Sequence, residues 1–370
     1  MKYIFIILIL PLWLSLVIYT FIRGNQSFAT IPAVRWIYIS VMTFSFFSLF
    51  VGMFLSDFLP PLPAKFICFI GYSFLILSSY LFLSFLLVDI IRLLNHFFHF
   101  IPDITKFRAW SGVFIFGIVI MTMVIGNIRF NNPQTVNLDI QSSKPLQNKE
   151  VKIIAISDVH LGSYIDKKRL TKYVEMINSH NPDLVLIAGD LIDRSLKPVI
   201  AQKMDEELRQ INAPFGVYAV EGNHEHYGEG SKAIADFFQK SDIKLLKDSV
   251  ELINGSFYLL GRKDHINPKR LEINQILHNM DASIPTILLD HQPYNLHEAE
   301  ENNIDFQFSG HTHKGQFFPI NLIVSMIFEK SYGYLKKGNT HYYITSGLGI
   351  WGPQYRIGSQ SELVVVKFRY

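Results

Sequence analysis

The chain has 370 residues, a formal net charge of +3 and a mean hydropathy of +0.22, with 49% hydrophobic and 18% charged residues. That balance excludes a disordered or fibrous protein. Only ten charged residues fall in 1–127, giving that part +4, while the remaining 243 residues sum to −1; lipid is implied as the solvent of the front and water as that of the rest. The pI near 8.7 therefore reflects basic residues flanking apolar segments, and no nucleic-acid partner is expected because the polar part lacks a dominant Lys/Arg run.

Four apolar stretches, Tyr3 to Ile22, Trp36 to Leu55, Phe66 to Ile91 and Trp110 to Ile128, each approach or exceed the ~18 residues that span hydrocarbon. A four-helix transmembrane domain over 1–128 follows. The first run is longer than the ~7–15 residue core of a signal peptide and lacks a small-residue cleavage pattern, so it reads as a helix. Loop charges give Arg23, Arg35, Arg92, Lys106 and Arg108 on one side against Lys2, Lys65 and Arg129 on the other. The basic-side rule then puts both termini, and the large polar domain, outside the cytoplasm of a multi-pass plasma-membrane protein. Cys68, the one cysteine, is expected to pack in a membrane helix, and Asp89 to lie at the interface beside Arg92. His96 and His99 read as interfacial packing. Residues 129–150 read as a linker.

From Val151 short apolar runs alternate with amphipathic helices. VKIIAIS leads to Asp158, the face Leu170, Val174, Ile177 marks a helix, and DLVLIAG leads to Asp190. GVYAVEG, SFYLLG, TILLD, IDFQFSG, HYYITSG and ELVVVKF supply further strands. The fold class is α/β over 151–370, with two stacked mixed sheets flanked by helices.

The chemistry stands at the strand exits. Asp158 and His160 follow the first strand, Asp190 and Asp193 the second, Asn223 and His224 the third, His291 the TILLD strand, and His311 and His313 the IDFQFSG strand. Each fragment alone is a commonplace turn or helix cap. Five ligand-bearing loops, each at a strand exit, are not explained by turn statistics, because such loops converge on one crevice in α/β sheets. Carboxylate, amide oxygen and imidazole without thiolate suit Mn, Fe or Zn. Asp193, three residues after Asp190, is better placed to orient a ligand histidine than to bind metal.

DVH, GDLID, GNHE, DHQP and GHTHKGQ together resemble the five blocks of the calcineurin-like metallophosphoesterases, and the tail GLGIWGPQYRIG with the membrane front resembles their bacterial membrane-anchored type. The resemblance implies two divalent cations, with Asp158, His160 and His313 on one, Asn223, His291 and His311 on the other, and Asp190 bridging. It implies a water shared by both ions attacking phosphorus and His224 serving the leaving oxygen. The implied substrate is a phosphodiester, pyrophosphate or phosphomonoester, with a lipid-linked envelope compound among the options. Alternatives are a nuclease or cyclic-nucleotide phosphodiesterase on the same centre, or a non-catalytic, metal-stabilised membrane binding module. His226, His265, His297 and His341 lack the strand-exit setting. Arg262, Arg356 and Tyr227 read equally as phosphate contacts or surface residues. Phe317 to Phe328 reads either as a core segment or as a membrane-facing lip.

Overall fold

The computed structural model describes residues 2–55, 58–147, 150–228 and 230–370, with the side chains of 1–9 and 61 outside the description. Asp57 of the charge count and Lys149 of the expected linker lie outside the described residues. The chain divides into two compact units, Met1–Asn127 with Gly352–Gln354, and Ile128–Trp351 with Tyr355–Tyr370.

The first unit is built on helices α1 (Lys2–Ser27), α2 (Pro32–Leu55), α3 (Pro61–Phe98) and α4 (Ile104–Asn131), the last running on into the second unit. Among the described residues three of these, rather than the expected four, are long and apolar enough to cross a membrane: Pro32–Leu55, Leu62–Phe98 and Ile104–Asn131. The expected span at Tyr3 to Ile22 begins on side chains outside the described set. α3 continues well past the expected end at Ile91 and closes with His99 in the left-handed region, its N–H donating to the Asn95 carbonyl. A Cβ on Gly71 would run into the Leu49 backbone, so α2 and α3 approach as closely as a small residue allows. Cys68 is buried against the Gly52 carbonyl. Asp89 pairs with Arg92 at 2.7 Å, as expected of neighbours one turn apart, and also with Arg23 at 2.6 Å and the Tyr19 hydroxyl at 2.7 Å. Its charge is thus compensated on two sides.

Among the described residues the second unit holds twelve strands: β1 (Gln134–Gln141), β2 (Glu150–Ile156), β3 (Leu184–Ala188), β4 (Val217–Val220), β5 (Ile243–Leu245), β6 (Ser249–Ile253), β7 (Phe257–Gly261), β8 (Thr286–Leu289), β9 (Phe306–Ser309), β10 (Gly333–Lys337), β11 (Thr340–Ile344) and β12 (Glu362–Arg369). They form two six-stranded mixed sheets, β1-β12-β2-β3-β4-β5 and β10-β11-β9-β8-β7-β6. Strands β2, β3, β4 and β5 run parallel in the first, and β7, β8, β9 and β11 in the second.

Alternation along each strand decides what it packs against. Ile153, Ala155, Leu184 and Leu186 meet Leu259, Ile287, Leu289, Phe306 and Phe308 between the sheets. Ile154, Ile156, Val185 and Ile187 face outward, covered by Leu170, Val174 and Ile177 of α5 (Lys167–Ser179) and by Phe237 of the helix Ser231–Lys240. Asp166 caps α5, accepting from the Arg169 amide at 3.1 Å. The far face of the second sheet is covered by Ile273, Leu296 and Ala299. The result is helix, sheet, sheet, helix.

The expectation of a linker at 129–150 needs correction. β1 lies within it and pairs in parallel with β12, Gln134 opposite Glu362 through Gln141 opposite Arg369. Its period-two pattern of Val136, Leu138 and Ile140 against Asn137, Asp139 and Gln141 turns Ile140 into the core between the sheets. Ile140→Ala removes a side chain with no exposed surface and should cost about 2–5 kcal/mol by lost transfer and residual cavity. Thermal unfolding of the detergent-solubilised chain should show a clearly lower midpoint; an unchanged midpoint would mean that β1 is not part of the core.

Candidate metal centre

Every candidate residue follows a strand, and the parallel strands deliver them to the same end of the two sheets. Asp158 and His160 follow β2, Asp190 and Asp193 follow β3, Asn223 and His224 follow β4, His291 follows β8, and His311 and His313 follow β9. The turns are unusual. Asp158, His160, Asp190, His311 and His313 all have positive φ, between 48° and 68°. L-residues with a Cβ rarely adopt that region, and each such placement costs on the order of 1–2 kcal/mol unless its surroundings hold it. Glycines make the room: a Cβ on Gly222 would strike the Asp190 carboxylate, and one on Gly310 would strike Asp158.

The side chains meet. His313 Nε2 is 3.4 Å from Asp158 Oδ1 and 3.2 Å from His160 Nε2. His291 Nε2 lies 3.2 Å from Asp190 Oδ2 and 3.3 Å from Asn223 Oδ1, which is also 2.9 Å from His311 Nδ1. Asp158–His160–His313 and Asp190–His291–His311 each bring their ligand atoms within 4.8 Å of one another, and His160–Asp190–His224 does the same between them. All the sequence-derived ligands are thus in one cluster, with Asp190 central.

Backbone and buried side chains fix these groups. The Ala188 carbonyl accepts from His291 Nδ1 at 2.7 Å, leaving Nε2 toward the cluster. Asp190 Oδ1 accepts the His224 amide at 2.9 Å, and Asp158 accepts the His311 amide at 3.0 and 3.1 Å. Asp193 hydrogen-bonds His224 rather than a candidate ligand: its carboxylate is 3.1 Å and its carbonyl 2.6 Å from His224 Nδ1, whereas His160 Nδ1 is 3.7 Å away.

Electrostatically, the protein groups are an uncomfortable set. Burial pushes Asp158 up to about 6 and His160 and His311 down to about 4, and holds His313 well below its ordinary value. His291 is held well above: burial opposes its charge, but Asp190 outweighs that. Nδ1 of His160 and of His313 is buried without a partner. Desolvated carboxylates and imidazoles, with those of His160 and His313 packed nitrogen to nitrogen, suit a cation, which would accept the lone pairs that now face one another. The donor set therefore fits divalent metal ions.

Tyr227 joins the rim, its hydroxyl accepting from Asn223 Nδ2 at 3.2 Å and its ring 5.1 Å from that of His224, and Trp351 lies 6.1 Å from His224. The two arginines are not phosphate contacts. Arg356, with no exposed surface, donates to the carbonyls of His313, Gly347 and Gly349, and Arg262 is buried on Asp290 and Glu298. His226 lies 3.8 Å from Glu221, His341 hydrogen-bonds Tyr334, and His265 stacks on Tyr294.

Sequence reasoning passed over Glu225. Fully enclosed, it accepts the backbone amides of Gly222, Asp190 and Ile192 at 2.7, 3.1 and 2.9 Å, tying the β3 and β4 exits together. Burial and the nearby Asp190 charge push it up to about 8. Only its place in GNHE could have flagged it, because its partners are main-chain groups.

Comparison with known proteins agrees with this geometry. The family model for calcineurin-like phosphoesterase matches residues 151–315. A metallophosphoesterase of Helicobacter pylori (strain J99) is 36% identical over 227 residues, 60% of each chain, and one of Aquifex aeolicus is 31% identical over 238 residues, covering 62% of this chain and 89% of the relative. A transmembrane protein with metallophosphoesterase domain from Danio rerio is 28% identical over 247 residues, 62% of this chain and 56% of the relative. The match thus spans about 60% of the length of the Helicobacter relative.

Glu225→Ala would leave three buried amides unpartnered, at about 1–3 kcal/mol each, and free the turn that positions Asp190. A lower thermal midpoint and weaker divalent-ion uptake are expected, with Glu225→Gln intermediate because it keeps one acceptor oxygen. Wild-type values for Glu225→Ala in both measurements would remove Glu225 from the site's support.

Proposed function

The chain belongs to the calcineurin-like phosphoesterase family, and on that premise we propose that it is a membrane-embedded, metal-dependent phosphohydrolase with two divalent cations in the cluster described above. The observation that carries this reading is the convergence of Asp158, His160, Asp190, Asn223, His291, His311 and His313 from five strand exits, with His224 at their edge. Asp158, His160 and His313 would hold one cation, and Asn223, His291 and His311 the other. Asp190 would serve both, because its carboxylate is the one that reaches His160, His224 and His291 together. When bound, such cations supply Lewis acidity, drawing charge from phosphoryl oxygens and making water a stronger acid.

The remaining work falls to His224. Its Nδ1 is engaged by Asp193, through carboxylate and carbonyl, so the ring is held and Nε2 is left to face the site. From there it can hand a proton to the departing ester oxygen. Asp193 is a positioning residue: it holds the imidazole and favours its protonated form. The rings of Tyr227 and Trp351 meet that of His224 edge to face at 5.1 and 6.1 Å, on the rim of the site. The substrate is a phosphodiester, phosphomonoester or pyrophosphate. With the carboxylates and imidazoles of this set assigned to the cations and to the leaving oxygen, water is the attacking group.

His224→Ala should lower turnover of a dialkyl phosphodiester, whose alkoxide needs a proton as it departs, by about 10²–10⁴-fold while metal content measured by elemental analysis stays at the wild-type level. Asp190→Ala should lose both. Full activity in His224→Ala would refute the leaving-group role, and parallel loss of metal would make His224 a ligand instead.

A further inference from the structure

The helix Ile320–Ile327 is the exception to the packing described above. Its sequence, INLIVSMI, is apolar nearly all round, which in a water-soluble unit normally means burial. None of its residues is buried. Leu322, Ile323 and Ile327 are 53–61% exposed and Met326 is 86% exposed. No charged residue lies between Gln316 and Phe328. The core reading of this segment is therefore overturned.

The helix is nevertheless firmly held at both ends, and at the metal centre. At its start, the Phe318 amide donates to the Ile357 carbonyl at 2.7 Å, and Gln316 donates to the Trp351 carbonyl at 3.0 Å. A Cβ on Gly315 would collide with the Asn321 backbone, so the His313 turn and the helix are in direct contact. At its end, the Phe328 ring packs, tilted, against that of Tyr294 at 4.9 Å and lies 6.1 Å from that of the candidate ligand His311. A fixed, solvated, uncharged helix thus stands at the mouth of the site, with the half-exposed rings of Trp351 and Tyr227 on the same rim.

We infer that this helix is an interfacial anchor that inserts its apolar surface into a lipid bilayer, so that the site takes phosphate esters or pyrophosphates of lipids presented at the membrane surface. The occupant is argued from the chain itself. Three of its helices are long and apolar enough to cross a membrane, and only Asn132 and Pro133 separate the end of the last, at Asn131, from β1 at Gln134. A bilayer is then the apolar phase always within reach, and amphipathic Trp and Tyr rings suit its interface. The substrate class rests on the phosphohydrolase reading; the docking does not.

The full-length chain carrying Cys68→Ser and Met326→Cys, labelled with bimane, would be placed in nanodiscs with and without brominated phosphatidylcholine. Bromine should quench the label at least twofold more than the same label at Lys168→Cys, an exposed position on α5. Equal quenching at both positions overturns the docking, including the case where the helix is covered by another protein or a second copy. Separately, Ile323→Glu with Ile327→Glu should reduce turnover of phosphatidic acid or a polyprenyl pyrophosphate in vesicles, whichever the wild type cleaves, at least tenfold, and leave bis(4-nitrophenyl) phosphate unchanged. Equal loss on both substrates, no loss on either, or a wild type that cleaves only the soluble ester overturns the lipid assignment. A wild type that cleaves nothing refutes the hydrolase reading, and quenching then still decides the docking.

Discussion

The structure is organised around a buried surplus of lone pairs. Two carboxylates, an amide oxygen and four imidazoles are brought to one end of two sheets, all of them buried except the half-buried His311 and His313. In the interior each must be neutralised or hydrogen-bonded; here backbone partners meet part of that need, and the remaining lone pairs face one another. Most of the unusual local features serve to hold that arrangement. Five positive-φ turns aim the side chains, glycines at 222 and 310 let them close in, and Glu225 and Arg356 clamp the loops from behind. Five positive-φ residues in one cluster of candidate ligands are backbone placements that the surrounding structure has to hold.

The scaffold explains why the strain can be borne. The inter-sheet core fixes the strands from which the loops emerge, and the outer layers of helices seal the opposite faces. Because β2, β3 and β4 are parallel in one sheet and β8 and β9 in the other, their carboxyl ends open on the same side. The chain needs no ligand from a loop without a strand behind it. The exception to this economy is the helix Ile320–Ile327, held at both ends and with none of its residues buried.

Much of this was legible in the sequence because two signals were local. Apolar runs ending in Asp, Asn or His marked β2, β3, β4, β8 and β9 together with the residues that follow them, and the run lengths marked three helices long and apolar enough to cross a membrane among the described residues, one fewer than expected. What was missed depended on partners distant along the chain. β1 read as a linker although Val136, Leu138 and Ile140 alternate with polar residues, because the strand it pairs with, β12, stands at the other end of the second unit's sequence. β5 is three residues long, and β10, GYLKK, is too polar to stand out. Glu225 and Arg356 act on backbone groups, which leave no trace in residue types. Asp193 was read as supporting a ligand, but the β4 exit places His224, not His160, within hydrogen-bonding distance.

The most direct test is to measure bound metal and thermal stability on the same purified, full-length sample before and after chelation. Two divalent ions per chain, a clear fall in the unfolding midpoint on their removal and recovery when manganese is restored would agree with a cluster built to be neutralised by cations. A well-folded chain with no bound divalent metal, whose midpoint is indifferent to chelator and manganese alike, would contradict it.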